Sequence, residues 1–302
     1  MSKIAFIYPG QGAQTVGMGK DFYDNSEVVK EIYHMASEVT GLDMVALCFE
    51  ESDKLNNTEY TQAALVTTCL AMTKIYMDNS EVKPDITAGL SLGEYCAISV
   101  SGGLDMRDAI SLVRERGKLM ENALPKGYGG MTAVLGLKKE QIEQIVDPIE
   151  HVSIANYNCP GQIVITGEAA ALLRAEECLK EAGAKRVLPL KVSGPFHSPL
   201  LYEAGQKLGE KMKSISFHPL KRPYVTNVTA QAVTNSEETK KLLTCQVSAP
   251  VKWEQSMKYM LDNGVDTFVE IGPGKTLNGF LRKINKEVKV INVSKWEDVT
   301  RG

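Results

Sequence analysis

The segment Ile86-Thr87-Ala88-Gly89-Leu90-Ser91-Leu92-Gly93 constrains this chain more than any other part of it. Ile86 to Leu90 reads as a short buried strand and Leu92 to Ser99 as a helix, so the pattern G-x-S-x-G falls on a strand-to-helix turn. Such a turn holds its serine in strained backbone angles. It needs glycine on both sides because side chains there would strike the incoming strand and outgoing helix. It lifts the Ser91 hydroxyl toward solvent and places the helix N-terminus, with its unpaired N–H groups, beside a reacting carbonyl. Ser91 is therefore a candidate nucleophile, and the N–H of Leu92 is the natural oxyanion donor.

The rest of the chain fits an α/β framework. Ile4 to Tyr8 reads as a buried strand ending in the turn Pro9-Gly10-Gln11-Gly12. Helices are expected over Glu27 to Val39, Gln62 to Met77 and Asp105 to Leu124, the last stopped by Pro125. In the last, Met106, Ile110, Val113, Gly117, Met120 and Leu124 form one apolar stripe. Arg114 and Arg116 lie at its two edges, and periodicity does not choose between them. Gly127-Tyr128-Gly129-Gly130 reads as a hinge. After it come strand Met131 to Leu137, helix Lys139 to Val146, strands Val152 to Asn156 and Gln162 to Thr166, helix Glu168 to Ala182 and strand Lys185 to Val192. That β-α-β-β-α-β order is the ferredoxin-like pattern. A helix from Leu201 to Met212, a strand from Tyr224 to Asn227, a helix from Trp253 to Asn263 and a strand from Thr267 to Ile271 resume the first pattern. The expected architecture is a large α/β-hydrolase-like domain with a parallel sheet, residues 1–126 and 194–302, interrupted by a small ferredoxin-like domain, residues 127–193.

A nucleophilic serine needs a base. Of His34, His151, His197 and His218, only His197 sits among turn residues where the chain returns to the large domain, in Ser193-Gly194-Pro195-Phe196-His197-Ser198-Pro199. Position favours it mildly. No Asp or Glu between 91 and 197 stands out as a third partner. Gly272-Pro273-Gly274-Lys275-Thr276 ends like a phosphate-binding loop, but Val269 stands where that pattern needs glycine. Gly10-x-Gly12 has Thr15 where a dinucleotide turn needs glycine. No nucleotide, metal or other cofactor is expected. The six cysteines show no C-x-x-C spacing, which suits reduced, mostly buried thiols. A net charge of −3 gives no global pull toward nucleic acid or an anionic membrane. The apolar run at the N-terminus is too short for a signal peptide, and a cytoplasmic monomer is expected.

Several spaced segments together resemble the malonyl-CoA:acyl carrier protein transacylase family. They are Phe6 to Gln14, Gly89 to Tyr95, Arg116-Gly117-Lys118, Asn158-Cys159-Pro160-Gly161-Gln162, Phe196-His197-Ser198 and Glu270 to Gly274. The resemblance implies a ping-pong reaction of fatty-acid biosynthesis. Ser91 would take the malonyl group with His197 as base, Gln11 and Leu92 would supply the oxyanion N–H groups, and Arg116 would grip the malonyl carboxylate. Gln246 matches a family position near the histidine, where a backbone or amide acceptor could orient the imidazole. The implied partners are malonyl-CoA and an acidic, phosphopantetheinylated acyl carrier protein, with Lys185-Arg186, Lys221-Arg222 and Arg282-Lys283 as candidate docking pairs. Two positions depart from the family pattern: Leu90 stands for a common histidine and Ala63 for a common proline. The competing readings are a transacylase of polyketide synthesis, a serine thioesterase or esterase, and a non-catalytic carrier-docking module.

Overall fold

The computed structural model describes residues 2–299; residues 1 and 300–302, the ends of the expected large domain, lie outside them. The fold is a mixed α/β arrangement with two sheets. The strands are β1 (Lys3–Tyr8), β2 (Ile86–Gly89), β3 (Gly129–Leu135), β4 (Val152–Cys159), β5 (Gln162–Glu168), β6 (Arg186–Pro189), β7 (Tyr224–Val225), β8 (Ala232–Val233), β9 (Val265–Ile271) and β10 (Lys289–Val293). The larger sheet has the order β10-β9-β1-β2-β7-β8, parallel except for the last pair.

β1 shows why this sheet is central. Its side chains alternate, and both sets are covered. Phe6 and Tyr8 enter a core made with the helices Thr58–Asn79, Gly93–Val100 and Met106–Glu121. Ala5 and Ile7 enter a second core with Trp253, Met257 and Leu281 on the opposite face. β1, β2 and β9 run parallel and end at Tyr8, Gly89 and Ile271. Their carboxyl ends open into the three glycine-bearing turns singled out in the sequence, which is where open parallel sheets place ligands.

The smaller sheet is antiparallel, in the order β4-β5-β3-β6, with the helices Lys139–Val146 and Ala169–Glu181 packed in one apolar cluster against it. It is tied to the larger unit at β4, where Val251 N–H donates to Ala155 O at 2.8 Å and Tyr157 N–H to Val251 O at 2.9 Å.

Some expected boundaries are corrected. The expected hinge at Gly127-Tyr128-Gly129-Gly130 is half strand, because Gly129 and Gly130 pair with Glu168 and Gly167 in β3 and β5. A Cβ on Gly129 would lie 2.4 Å from Gly167 O, so close backbone approach, not flexibility, calls for that glycine. The helix expected from Gln62 starts a turn earlier, at Thr58. Its first turn is polar and shows no apolar period, yet Thr61 Oγ1 donates to Leu55 O at 2.6 Å and is buried. The arginine-bearing helix stops at Glu121, three residues before the expected Leu124. The helices Thr239–Gln246 and Thr276–Ile284 and strand β10 were not expected at all.

Candidate active site

The geometry around Ser91 follows from two absent side chains. A Cβ at Gly89 would lie 1.9 Å from Gly93 C, and one at Gly93 would lie 2.3 Å from Tyr8 O. Strand, turn and elbow helix (Gly93–Val100) therefore touch backbone to backbone. Ser91 itself has φ 50°, a left-handed conformation unusual for a side-chain-bearing residue. Asn227 secures the turn: Ser91 N–H donates to its Oδ1 at 2.6 Å, and its Nδ2 donates to Gly89 O at 2.8 Å. The Ser91 amide is thereby occupied. The backbone N–H groups of Leu92 and Gln11 have no hydrogen-bond acceptor among the described residues.

His197 also has a positive φ, 58°, and is buried. Its Nε2 lies 2.7 Å from Ser91 Oγ. Its Nδ1 faces the carbonyl oxygens of Gln246 at 2.9 Å and Ala249 at 3.2 Å. Carbonyls only accept, so Nδ1 carries the proton and Nε2 accepts from the serine hydroxyl. Burial first, and the Arg116 cation second, push the imidazole down to about 4, against the upward pull of the two carbonyls. It is neutral near pH 7 and able to take a proton from Oγ. The other histidines lie elsewhere: His34 beside Glu38 and His218 beside Asp105 on the surface, His151 at a turn before β4.

The helix Met106–Glu121 places its two arginines differently. Arg114 turns to Glu59, donating to its carbonyl at 2.6 Å, and stacks on Tyr60 with 4.9 Å to the ring centroid. Arg116 is 1% exposed and points to the elbow. Its Nη1 donates to Gln62 Oε1 at 2.8 Å, and its Nη2 to Ser91 Oγ and to Gln246 Oε1, both at 3.2 Å. Among the described residues it has no carboxylate within ion-pairing distance. A buried cation without a carboxylate partner costs solvation free energy, which an incoming anion can offset. Burial accordingly lowers the Arg116 pKa from the usual arginine value.

Ser91, His197, Arg116 and Gln11 line one cleft of about 260 Å³ between the two sheets, with Leu90 and Phe196 in its walls. A larger groove near His218 and Lys221 holds none of these groups. Gln246 contributes through its backbone carbonyl to His197 and through its side chain to Arg116. Sequence reasoning missed Gln62, Asn227 and Glu94. Only Glu94 gave a signal, as a lone carboxylate inside the apolar run Leu92 to Ile98. Glu270, near the end of β9 and just before the loop that resembles a phosphate site, caps the helix Thr276–Ile284 by accepting the N–H groups of Leu277 at 3.0 Å and Asn278 at 2.7 Å. An internal carboxylate thus takes the place an external phosphate would need. Among the described residues, no three His, Cys, Asp or Glu side chains converge to hold a metal ion, and no helix is long and apolar enough to cross a membrane.

Comparison with known proteins identifies the family. Residues 5–297 match the acyl transferase domain family. A malonyl CoA-acyl carrier protein transacylase of Bacillus subtilis (strain 168) is 42% identical, covering 99% of this chain and 96% of that protein. The crystal structure of a Streptococcus pneumoniae relative described as MCAT is 46% identical with a TM-score of 0.94, covering 99% and 98% of the two chains. A third solved structure, 36% identical with a TM-score of 0.95 and covering 99% and 98%, is a type II PKS acyl-carrier protein in complex with its malonyl-transacylase.

Proposed function

This chain belongs to the acyl transferase family, and from that premise we propose the following account of its reaction. It transfers a malonyl group from malonyl-CoA to acyl carrier protein in fatty-acid biosynthesis, through a malonyl ester on Ser91. Ser91 Oγ attacks the thioester carbonyl while His197 Nε2 takes its proton. The N–H groups of Leu92 and Gln11 hold the oxyanion. The tetrahedral intermediate collapses, CoA leaves as its thiol with the proton from His197, and the ester remains. The phosphopantetheine thiol of the carrier then attacks that ester. His197 accepts the thiol proton and returns it to Ser91 Oγ as the acyl group departs. Arg116 pairs with the malonyl carboxylate throughout. The two carbonyls on Nδ1 replace the acid of a hydrolase triad, since they fix the tautomer without adding a charge.

The observation that carries this reading is a buried guanidinium 3.2 Å from the hydroxyl that would carry the acyl group. It favours a cargo with its own carboxylate. The thioesterase reading has no corresponding support. We read residues 1–126 and 194–302 as a hydrolase-like unit and 127–193 as a ferredoxin-like one. We read the protein as a cytoplasmic monomer that binds no nucleic acid or membrane. The acidic carrier docks on the pair Arg282-Lys283, because Lys283 Nζ lies 3.5 Å from Gln162 Oε1 at the cleft wall. The polyketide alternative draws on the solved complex with a type II PKS carrier.

The test is direct. Protein mixed with malonyl-CoA is examined by intact mass and peptide mapping, and holo acyl carrier protein is then added. A malonyl ester on Ser91 that discharges to the carrier is expected. Absence of the ester refutes the reading, and discharge to water ahead of the carrier selects the thioesterase.

A further inference from the structure

Beneath the elbow, one carboxylate is linked through Asn227 and Gln246 to both Ser91 and Arg116. Glu94, in the first turn of the elbow helix, is fully buried. Its Oε2 accepts the Asn227 N–H at 3.0 Å and Gln246 Nε2 at 2.7 Å. Asn227 in turn holds the Ser91 amide. Gln246 Nε2 also donates to Ser91 O at 3.0 Å, while its Oε1 accepts Arg116 Nη2 at 3.2 Å.

A glutamine amide has two ends of nearly equal shape and opposite hydrogen-bonding sense, whereas an ionised carboxylate only accepts. With Glu94 ionised, the Gln246 NH₂ must face Glu94 and the Ser91 carbonyl, which leaves Oε1 for Arg116. Reversal would set oxygen against two acceptors and NH₂ against a guanidinium, all buried and unsatisfied. We propose that Glu94 is a positioning residue for cargo selection: its carboxylate locks Gln246 in the one orientation that holds Arg116 ready for an acyl carboxylate. This deepens, and rests on, the reading of Arg116 as the partner of the malonyl group.

The electrostatic surroundings make the lock adjustable. Burial raises the Glu94 carboxyl to about 7, against the pull of Asn227, Gln246, Thr226 and Arg116. The charged and titratable groups facing it are Arg116 from the helix Met106–Glu121, Tyr95 on its own helix and Tyr224 from β7. Burial pushes both tyrosines well above their ordinary value, so neither titrates near neutrality. A proton on Glu94 turns an acceptor into a donor and loosens the lock as pH falls through that region.

Glu94→Gln tests the idea, because an amide at position 94 keeps the shape but removes the charge and can present NH₂ to Gln246, so the strongest demand for one orientation is lost while those of the Ser91 carbonyl and Arg116 remain. Loading of Ser91 from malonyl-CoA and from acetyl-CoA is measured as kcat/KM between pH 6 and 8.5. The malonyl-to-acetyl ratio is expected to fall about tenfold in the variant at pH 8, the value of roughly one charge-assisted hydrogen bond, mainly through the malonyl KM. The wild-type ratio should itself decline toward pH 6, while that of the variant stays flat. An unchanged ratio in Glu94→Gln overturns the proposal, whatever happens to absolute rates. Should the variant fail to fold, a pH-independent ratio in the wild type overturns it alone. The reading of Arg116 fails separately, if Arg116→Met keeps the wild-type malonyl-to-acetyl ratio.

Discussion

Replacing Arg116 by methionine should move the acid limb of the acylation rate upward. His197 sits at about 4 instead of the ordinary 6.5, a bias of about 3 kcal/mol toward the neutral imidazole at ~1.4 kcal/mol per unit. Two hydrogen bonds in series, 3.2 Å from Nη2 to Oγ and 2.7 Å from Oγ to Nε2, link the cation to the imidazole. At a separation of about 6 Å and an effective dielectric of about 20, two unit charges interact by ~3 kcal/mol, so Arg116 is near enough to matter. Burial is the larger cause and the two carbonyls oppose both, so Arg116 contributes less than burial does, and a shift of roughly one unit is expected on its removal. The sign is fixed: a protonated His197 cannot accept from Ser91, so raising its pKa brings the loss of activity to higher pH. The assay is single-turnover acetyl transfer from acetyl-CoA to Ser91 by rapid quench, as kcat/KM, which reports the free enzyme. Wild type should hold its rate down to about pH 5 and fall tenfold per unit below about 4, and Arg116→Met should break roughly one unit higher. Coincident breaks, or a wild-type break near 6.5, refute the reasoning. If the malonyl carboxylate pairs with Arg116 as proposed, it offsets that charge, and His197 is then a stronger base in the malonyl complex than in the free enzyme.

Other perturbations probe the frame around the site. Gly89→Ala sets a Cβ 1.9 Å from Gly93 C and should cost at least ~3 kcal/mol or abolish folding, measured by urea denaturation; a loss under 1 kcal/mol would show that the elbow can spread. Asn227→Ala strips partners from Ser91 N–H and Gly89 O, and should destabilise by about 2–4 kcal/mol and lower kcat more than it raises KM. Glu270→Gln tests linkage. Burial raises this carboxyl from 4.5 to about 7, so the folded wild type holds an extra proton between those values and its contribution to stability is lost as pH rises through them. The Tm of the variant should therefore gain on that of wild type from pH 5 to 8, and a constant Tm difference would contradict the assignment.

What could be read from the chain, and what could not, divides by the range over which each constraint acts. Ser91 was legible because its requirements are local: two glycines and a strand–helix junction within a few residues specify a turn whose serine has φ 50°. Apolar alternation in β1 and the helical stripe from Met106 were legible for the same reason. His197 was a weaker inference, since its positive φ and its two carbonyl partners at 246 and 249 leave no trace in local spacing. Arg114 and Arg116 show the limit most sharply. They flank one stripe and are equivalent on a helical wheel, yet packing sends one to Glu59 and Tyr60 and the other to Gln62 and Ser91. No periodicity encodes that difference, because it depends on which neighbouring helix lies at which edge. Gln62 and Gln246, which bond the arginine, and Glu94, which bonds Gln246, come from three separate helices. In the proposed reading, the nucleophile is thus a property of one short segment, while the identity of its cargo is a property of the whole fold. Substitutions at Gln62, Glu94 or Gln246 are then expected to lower the malonyl-to-acetyl ratio of Ser91 loading without touching Ser91, and unchanged ratios in all three would contradict that reading.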